Sequence, residues 1–300
     1  MFLDINTIIL ILFLILILIN IPESNNFNCK IQEYFNNEIK KPYLWSYWQN
    51  KPNKQMPDYI KLCFETFKKH CSNNYEIVIL DETSIYKYLP NLRKDLDELS
   101  SLAQKTDYIR IALLYNYGGL WLDADTIVMN DLHEIIDKLN EGYDYIGFGC
   151  SYETCLNSGY PQPSNGAMAS QKHSVLMKSC LDDLDNILNN NKKFNYFDLG
   201  KITIWRNIEK LLQDKYIYYH FPSYADGSRD NNGKWINVVN HLSKDKTKFI
   251  DESKLMFVFL ENNKLNGDNT DYNWFGKQNE SFIKTCDLWI CELFKKALKN

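Results

Sequence analysis

Apolar and polar positions fall into one long apolar run near the start, followed by short apolar blocks alternating with stretches at helical spacing. The run is unbroken over residues 8–19, and over 5–21 only Asn6, Thr7 and Asn20 interrupt it, the short end for a membrane-crossing helix. The start Met-Phe-Leu-Asp lacks the basic region of a signal peptide, and no small-residue cleavage site precedes Pro22. The pattern therefore predicts an uncleaved signal-anchor over residues 1–21, a single-pass membrane protein with the lipid bilayer as partner through residues 5–21, and a polar stem over 22–42. Lys30, Lys40 and Lys41 follow the run and nothing basic precedes it, which by the charge rule puts the remainder on the cytosolic side.

Beyond the stem, residues 43–48 read as a strand and 58–70 as a helix whose apolar face carries Ile60, Cys63, Phe64 and Phe67. Residues 75–80 read as a second strand and 82–89 as a helix that Pro90 interrupts. Further strands are expected near 143–148, 215–220 and 254–260, and helices near 132–139, 175–188, 203–213 and 282–298. The stretch 150–164 and the polar, glycine-containing 224–237 read as loops. Strands alternating with helices predict an α/β sheet with right-handed crossovers, whose ligands lie beyond the carboxyl ends of the strands.

The rest is organised around residues 102–131. Ile109, Leu113 and Tyr117 recur at helical spacing, with Lys105, Asp107 and Arg110 as polar groups on the same helix. Gly118-Gly119 stops it, because glycine takes left-handed backbone angles at little steric cost. Leu120-Trp121-Leu122 then forms an apolar strand ending in Asp123-Ala124-Asp125. Two carboxylates at the lip of an apolar strand suit a hard divalent cation, Mn²⁺ or Mg²⁺, which offsets their repulsion. Two carboxylates are less than a full shell, so water and a substrate diphosphate would complete it.

At 300 residues and a formal net charge of −4, the chain is long enough for one sizeable catalytic domain, and no basic stripe points to nucleic acid. None of the eight cysteines forms a Cys-x-x-Cys pair, so no structural zinc site is expected. Cys150 with Cys155 and Cys286 with Cys291 are close enough to form disulfides. Asn279-Glu280-Ser281 is the single N-glycosylation pattern.

Trp48 with Met56-Pro57-Asp58, then Thr106-Asp107-Tyr108-Ile109-Arg110, then residues 117–125 through Asp-Ala-Asp, resemble the glycosyltransferases with a sugar-binding Asp-x-Asp region. These are the Och1-like alpha-mannosyltransferases and capsular polysaccharide synthesis proteins, and more distantly the catalytic domains of large clostridial glucosylating toxins. The resemblance covers residues 43–130 and fades after about 170; Thr106 stands where members usually carry Ser. It implies a GT-A-like nucleotide-sugar-binding fold with a central mixed, mainly parallel sheet, here preceded by one membrane-anchor helix. The domains expected are a nucleotide-sugar-binding half at 43–130, an acceptor-side half at 131–281 and a C-terminal amphipathic helix at 282–300.

The resemblance further implies a UDP- or GDP-hexose donor, a glycan or glycolipid acceptor, transfer with retention, and residence in Golgi or secretory-pathway membranes. Carried over by motif, Asp107 and Arg110 position the donor, Asp123 reaches the ribose or sugar directly or through the metal, and Asp125 ligates the metal. Trp48 lies near the base, and Asn165 with Gly166 shapes the sugar or acceptor pocket. His241 is the expected third metal ligand, with His220 as a further late candidate, and Trp235 is the candidate for a late tryptophan near the donor phosphates. Two other readings stand beside this one. Asp123-Ala124-Asp125-Thr126 also matches the motif of haloacid-dehalogenase-like phosphatases, with Asp123 as nucleophile, and a noncatalytic membrane-anchored carbohydrate-binding protein is the third.

Overall fold

The computed structural model describes residues 41–149, 163–190, 194–211 and 213–299. Pro42–Asn300 forms one unit around a six-stranded sheet. Its strands are β1 (Tyr43–Tyr47), β2 (Glu76–Leu80), β3 (Gly119–Leu122), β5 (Tyr145–Gly149), β6 (Ser164–Ser170) and β7 (Tyr218–Pro222), in the order β2-β1-β3-β6-β5-β7. β1 is parallel to β2 and to β3, and β5 to β7; β6 is antiparallel to β3 and β5. The sheet is thus mixed and mostly parallel, consistent with a GT-A-like fold. A separate ribbon pairs β4 (Thr126–Val128) with β8 (Phe257–Phe259), so the chain after the acidic corner leaves the main sheet.

The period-2 alternation of the strands divides the core between the two faces of the sheet. Leu44, Leu120, Leu122, Ile146, Phe148, Ala167 and Ala169 join one buried cluster, with helix α1 (Asp58–Cys71) and the C-terminal helix. Trp45, Trp121, Tyr145 and Met168 join the other, with α2 (Leu102–Tyr117), α4 (Val175–Asn189) and α5 (Thr203–Leu211). A shorter helix, α3 (His133–Asn140), buries Ile135 and Leu139 on the first face.

α2 starts at Ser101, whose side chain accepts the Ala103 N–H, and ends at Gly118. It is buried on more than its apolar stripe, since Gln104, Lys105, Asp107 and Arg110 are also covered. The glycine pair has two reasons to be glycine. Gly118 and Gly119 have φ of 68° and 99°, and a Cβ on Gly119 would stand 2.3 Å from the Tyr43 carbonyl oxygen. Their backbone passes this closely because Trp45 Nε1 donates to the Gly118 carbonyl at 2.9 Å, locking β1 to the turn that launches β3.

Several expectations are corrected. The membrane-anchor helix expected at residues 5–21 lies outside the described residues, and among those described no helix is long and apolar enough to cross a membrane. The described fold therefore has no anchor helix, and the expected bilayer partner, single-pass topology and Golgi-membrane location are without support from it. The helix expected over 282–298 is two helices, Glu280–Thr285 and α6 (Trp289–Leu298), because Cys286 takes an extended backbone; a Cys286–Cys291 disulfide spans the break. Cys150 and Cys155 lie outside the described residues. β6 went unpredicted because Ser-Asn-Gly-Ala-Met-Ala-Ser lacks the branched and aromatic residues of a strand. Small side chains suit its central place between β3 and β5.

Gly119→Ala combines a strained backbone angle with a backbone clash, so it is expected to destabilise the fold by about 2 kcal/mol or more. Urea denaturation read by circular dichroism checks this.

Candidate active site

The site is assembled where β3 ends. The Asp123 N–H donates to the Gly166 carbonyl of β6 at 2.7 Å, so the acidic corner begins as the last rung of the ladder. α2 runs antiparallel to this edge of the sheet and brings Asp107 and Arg110, one turn apart, to the same place. The Arg110 guanidinium lies 3.2 Å from Asp123 Oδ1 and 3.4 Å from Asp107 Oδ1. It also donates to the main-chain carbonyl of Asn165 and, through Nε, to that of Thr106 at 3.3 Å. Asn165 Nδ2 donates to Asp107 Oδ1 at 2.7 Å, so β6 contributes both main chain and side chain. Arg110 packs 5.2 Å over the Trp121 ring, whose Nε1 donates to Asp123 Oδ1 at 2.8 Å.

Asp125 is held differently. Its Oδ2 accepts the Asn262 N–H at 2.9 Å, and its carbonyl accepts the Leu260 N–H at 2.9 Å, both just past β8. Asp123 Oδ2 and Asp125 Oδ1 accept no hydrogen bond from another described residue. A Cβ on Gly166 would meet Asp123 Oδ2 at 3.2 Å, so glycine leaves room beside that free oxygen.

The electrostatics follow from one cation among three acids. Burial pushes Asp107 up to about 7, with Arg110 opposing and Asp123 adding to the rise. Burial and the Asp123 charge push Asp125 up to about 7, against the Asn262 N–H. Asp123 is also raised by burial, against Arg110 and the Trp121 N–H. The guanidinium neutralises one carboxylate's worth of charge, and the cluster remains short of positive charge. A divalent cation would supply that deficit, and the two free oxygens, on half-buried carboxylates, are the hard donors it prefers. The donor set fits such an ion as a two-carboxylate site completed by substrate and water.

Other expected site residues lie elsewhere. Trp48 follows Trp45 by three residues, as Ala124 follows Trp121, and those two tryptophans are register partners, so Trp48 leaves the sheet at the same edge as the acidic corner. It is half-buried, with Nε1 donating to Asn50 at 2.8 Å. His241 is buried on a one-turn helix, stacked 5.4 Å from Trp289, and both of its ring nitrogens lack a hydrogen-bond partner. Burial lowers its pKa to about 4. Among the described residues no three His, Cys, Asp or Glu side chains form a group that could hold a metal, so His241 is not brought to Asp123 and Asp125 in such a group. His220 hydrogen-bonds Tyr218 and, at 2.9 Å, the Gly149 carbonyl. Trp235 is exposed beneath Arg229. The roles of Trp121 and Asn262 were not expected. Trp121 sits inside the motif and was legible as a strand residue only; Asn262 is 137 positions from Asp125 with no local signal.

The family described as "Capsular polysaccharide synthesis protein" matches residues 21–217, more than half of the chain and all of the Arg110 cluster. The chain belongs to this family. A search of curated protein sequences finds no match. Among solved structures, this capsular polysaccharide synthesis family member is similar to the PaToxG glycosyltransferase (16% identity, 58% of this chain and 70% of that one, TM-score 0.42). It is also similar to a glycosyltransferase involved in glycosylation of the major capsid of PBCV-1 (15%, 73% and 93%, TM-score 0.40). A third is the galactosyltransferase LgtC in complex with donor and acceptor sugar analogs (10%, 85% and 94%, TM-score 0.41).

The raised Asp107 carries a pH signature. A folded-state pKa above the unfolded value of roughly 4 means the folded chain holds the proton more tightly. That contribution to stability is complete below about pH 4 and is lost as pH rises through about 7. Asp107→Asn removes the dependence, so its stability relative to wild type should rise between those pH values in metal-free buffer. Denaturation midpoints across the range check it, and a difference independent of pH contradicts it.

Proposed function

We propose that this family member is a metal-dependent glycosyltransferase that moves a hexose from a UDP- or GDP-linked donor to a glycan or glycolipid acceptor, with retention at the anomeric carbon. The observation that carries the reading is the charge imbalance of the Arg110 cluster, at a strand end, with one free oxygen on each of Asp123 and Asp125. Family membership supports transfer over the phosphatase and noncatalytic alternatives.

Asp123 and Asp125 would hold Mn²⁺ or Mg²⁺ through those free oxygens. When bound, the ion acts as a Lewis acid that stabilises negative charge on a departing nucleoside diphosphate. The chain's own residues do the rest. Arg110 keeps Asp123 aimed by clamping its other oxygen and presents fixed positive charge to the donor at a covered position. Asp107 faces the same guanidinium nitrogen of Arg110 as Asp123 does, and Asn165 holds Asp107. Asn262 keeps Asp125 from turning away. Trp48, at the same sheet edge, is the surface for the nucleobase. A donor fixed at several points meets the acceptor hydroxyl in one orientation, which is where much of the rate gain arises.

Asp125→Ala is expected to lower Mn²⁺-dependent transfer and donor hydrolysis by about a hundredfold or more, read by mass spectrometry on a nucleotide-sugar panel. In parallel, Mn²⁺ should raise the melting temperature of wild type and not of the variant. Normal metal-dependent turnover by Asp125→Ala contradicts the metal assignment.

A further inference from the structure

The segment between α4 and α5 has features that the donor site does not use. A kinked turn, Asp198–Ile202, precedes α5, with Gly200 outside helical backbone angles at φ −106° and ψ −113°. Its Gly200 is pressed against the cluster: a Cβ there would lie 2.4 Å from Asn165 Nδ2 and 2.6 Å from Asp107 Oδ2. The turn is tied down on its leading side as well. The Phe197 carbonyl accepts the N–H groups of Gly200 and Ile202, each at 3.3 Å, and the Asn195 N–H donates to Asp198 Oδ2 at 2.6 Å.

Two aromatic side chains stand at the front of this turn. Tyr196 is 52% and Phe197 47% exposed, with ring centroids 5.0 Å apart and planes at 84°. Phe197 keeps that exposure although Lys201 Nζ lies 4.0 Å from its ring centre. Burial and the charges of Asp107, Asp123 and Asp125 raise the Tyr196 hydroxyl, with Arg110 opposing, so the phenol lies within electrostatic reach of the whole cluster. Two adjacent exposed rings set edge to face offer an angled apolar corner, one ring face with the other ring's edge beside it, together with a hydroxyl.

We propose that Tyr196 and Phe197 form the platform on which a neutral hexose ring of the acceptor stacks; this rests on the transferase reading above. The occupant follows from what remains unmatched. In that reading the donor's charged diphosphate is met by Arg110 and by the divalent ion that the two carboxylates would hold. At the rim stand two rings and a phenol, which complement the C–H face of a sugar and one of its hydroxyls rather than another anionic group. The rim is also where a ligand arriving from solvent first meets the site. Because Gly200 couples the turn to Asp107 and Asn165, the platform is held at a set position relative to the donor residues.

Saturation-transfer NMR on the full chain with the methyl glycosides of glucose, mannose and galactose tests this. Wild type should saturate ring protons of at least one glycoside. Tyr196→Ala and Phe197→Ala should each weaken binding about tenfold, Phe197→Trp should bind as wild type does, and Tyr196→Phe, which keeps the ring and loses the hydroxyl, should lose less than Tyr196→Ala. Melting curves establish that each variant is folded. Unchanged binding by folded Phe197→Ala, equal loss in the ring-retaining variants, or no glycoside saturated by wild type overturns the platform. Metal-dependent release of nucleoside diphosphate by wild type is measured separately. Its absence with glycoside binding intact overturns the transferase reading, not the sugar-binding role of the rings.

Discussion

One guanidinium among three carboxylates is the constraint on which the rest depends. Arg110 is almost fully covered and faces Asp107 and Asp123 at ion-pair distance, with Asp125 two residues beyond. Burying charge is costly unless it is paired, and a single cation cannot pair three acids. The cluster therefore holds protons that ordinary aspartates release, or it takes up positive charge from outside. In the proposed reading a divalent ion held by Asp123 and Asp125 would offset that excess negative charge.

The scaffold exists to hold these groups against their repulsion. Trp45 locks β1 to Gly118, so the turn after α2 has only one path into β3. β3 ends on the Gly166 carbonyl of β6, which places Asn165 against both Asp107 and Arg110. β4 then leaves the main sheet for β8, and that departure lets the main chain at Asn262 reach Asp125. α2 and β6 together secure Asp107 and Asp123, and the chain just past β8 secures Asp125, so no one element carries the site.

Much of this was legible in the sequence, and what was missed has a physical explanation. α1, α2, α4 and the strand before Asp123 announced themselves because burial on one or both faces writes a period into the chain. The resemblance implied that Asp107, Arg110 and Asp123 serve one donor site, but the ion pairs that join them carried no signal of their own. Asn262 acts through its N–H, which any residue but proline supplies, so its identity carries no signal. β6 was hidden because a central strand hemmed by neighbours and a ligand site needs small residues, the opposite of strand preference. His241 drew notice as a late histidine, yet its ring lies in an apolar stack with Trp289, where burial keeps it neutral. The apolar run at residues 8–19 was read as an anchor on hydropathy alone, and the described part of the fold supplies no membrane-crossing helix to support it.

The most direct test of the central claim is the location of the cation itself. Crystals of the protein grown with Mn²⁺ and UDP or GDP would be measured at the manganese absorption edge. The account predicts an anomalous peak coordinated by Asp123 Oδ2 and Asp125 Oδ1 and by diphosphate oxygens, with Arg110 still holding the other oxygen of Asp123. Nucleotide bound with no manganese at these two carboxylates, or manganese bound elsewhere, would contradict it.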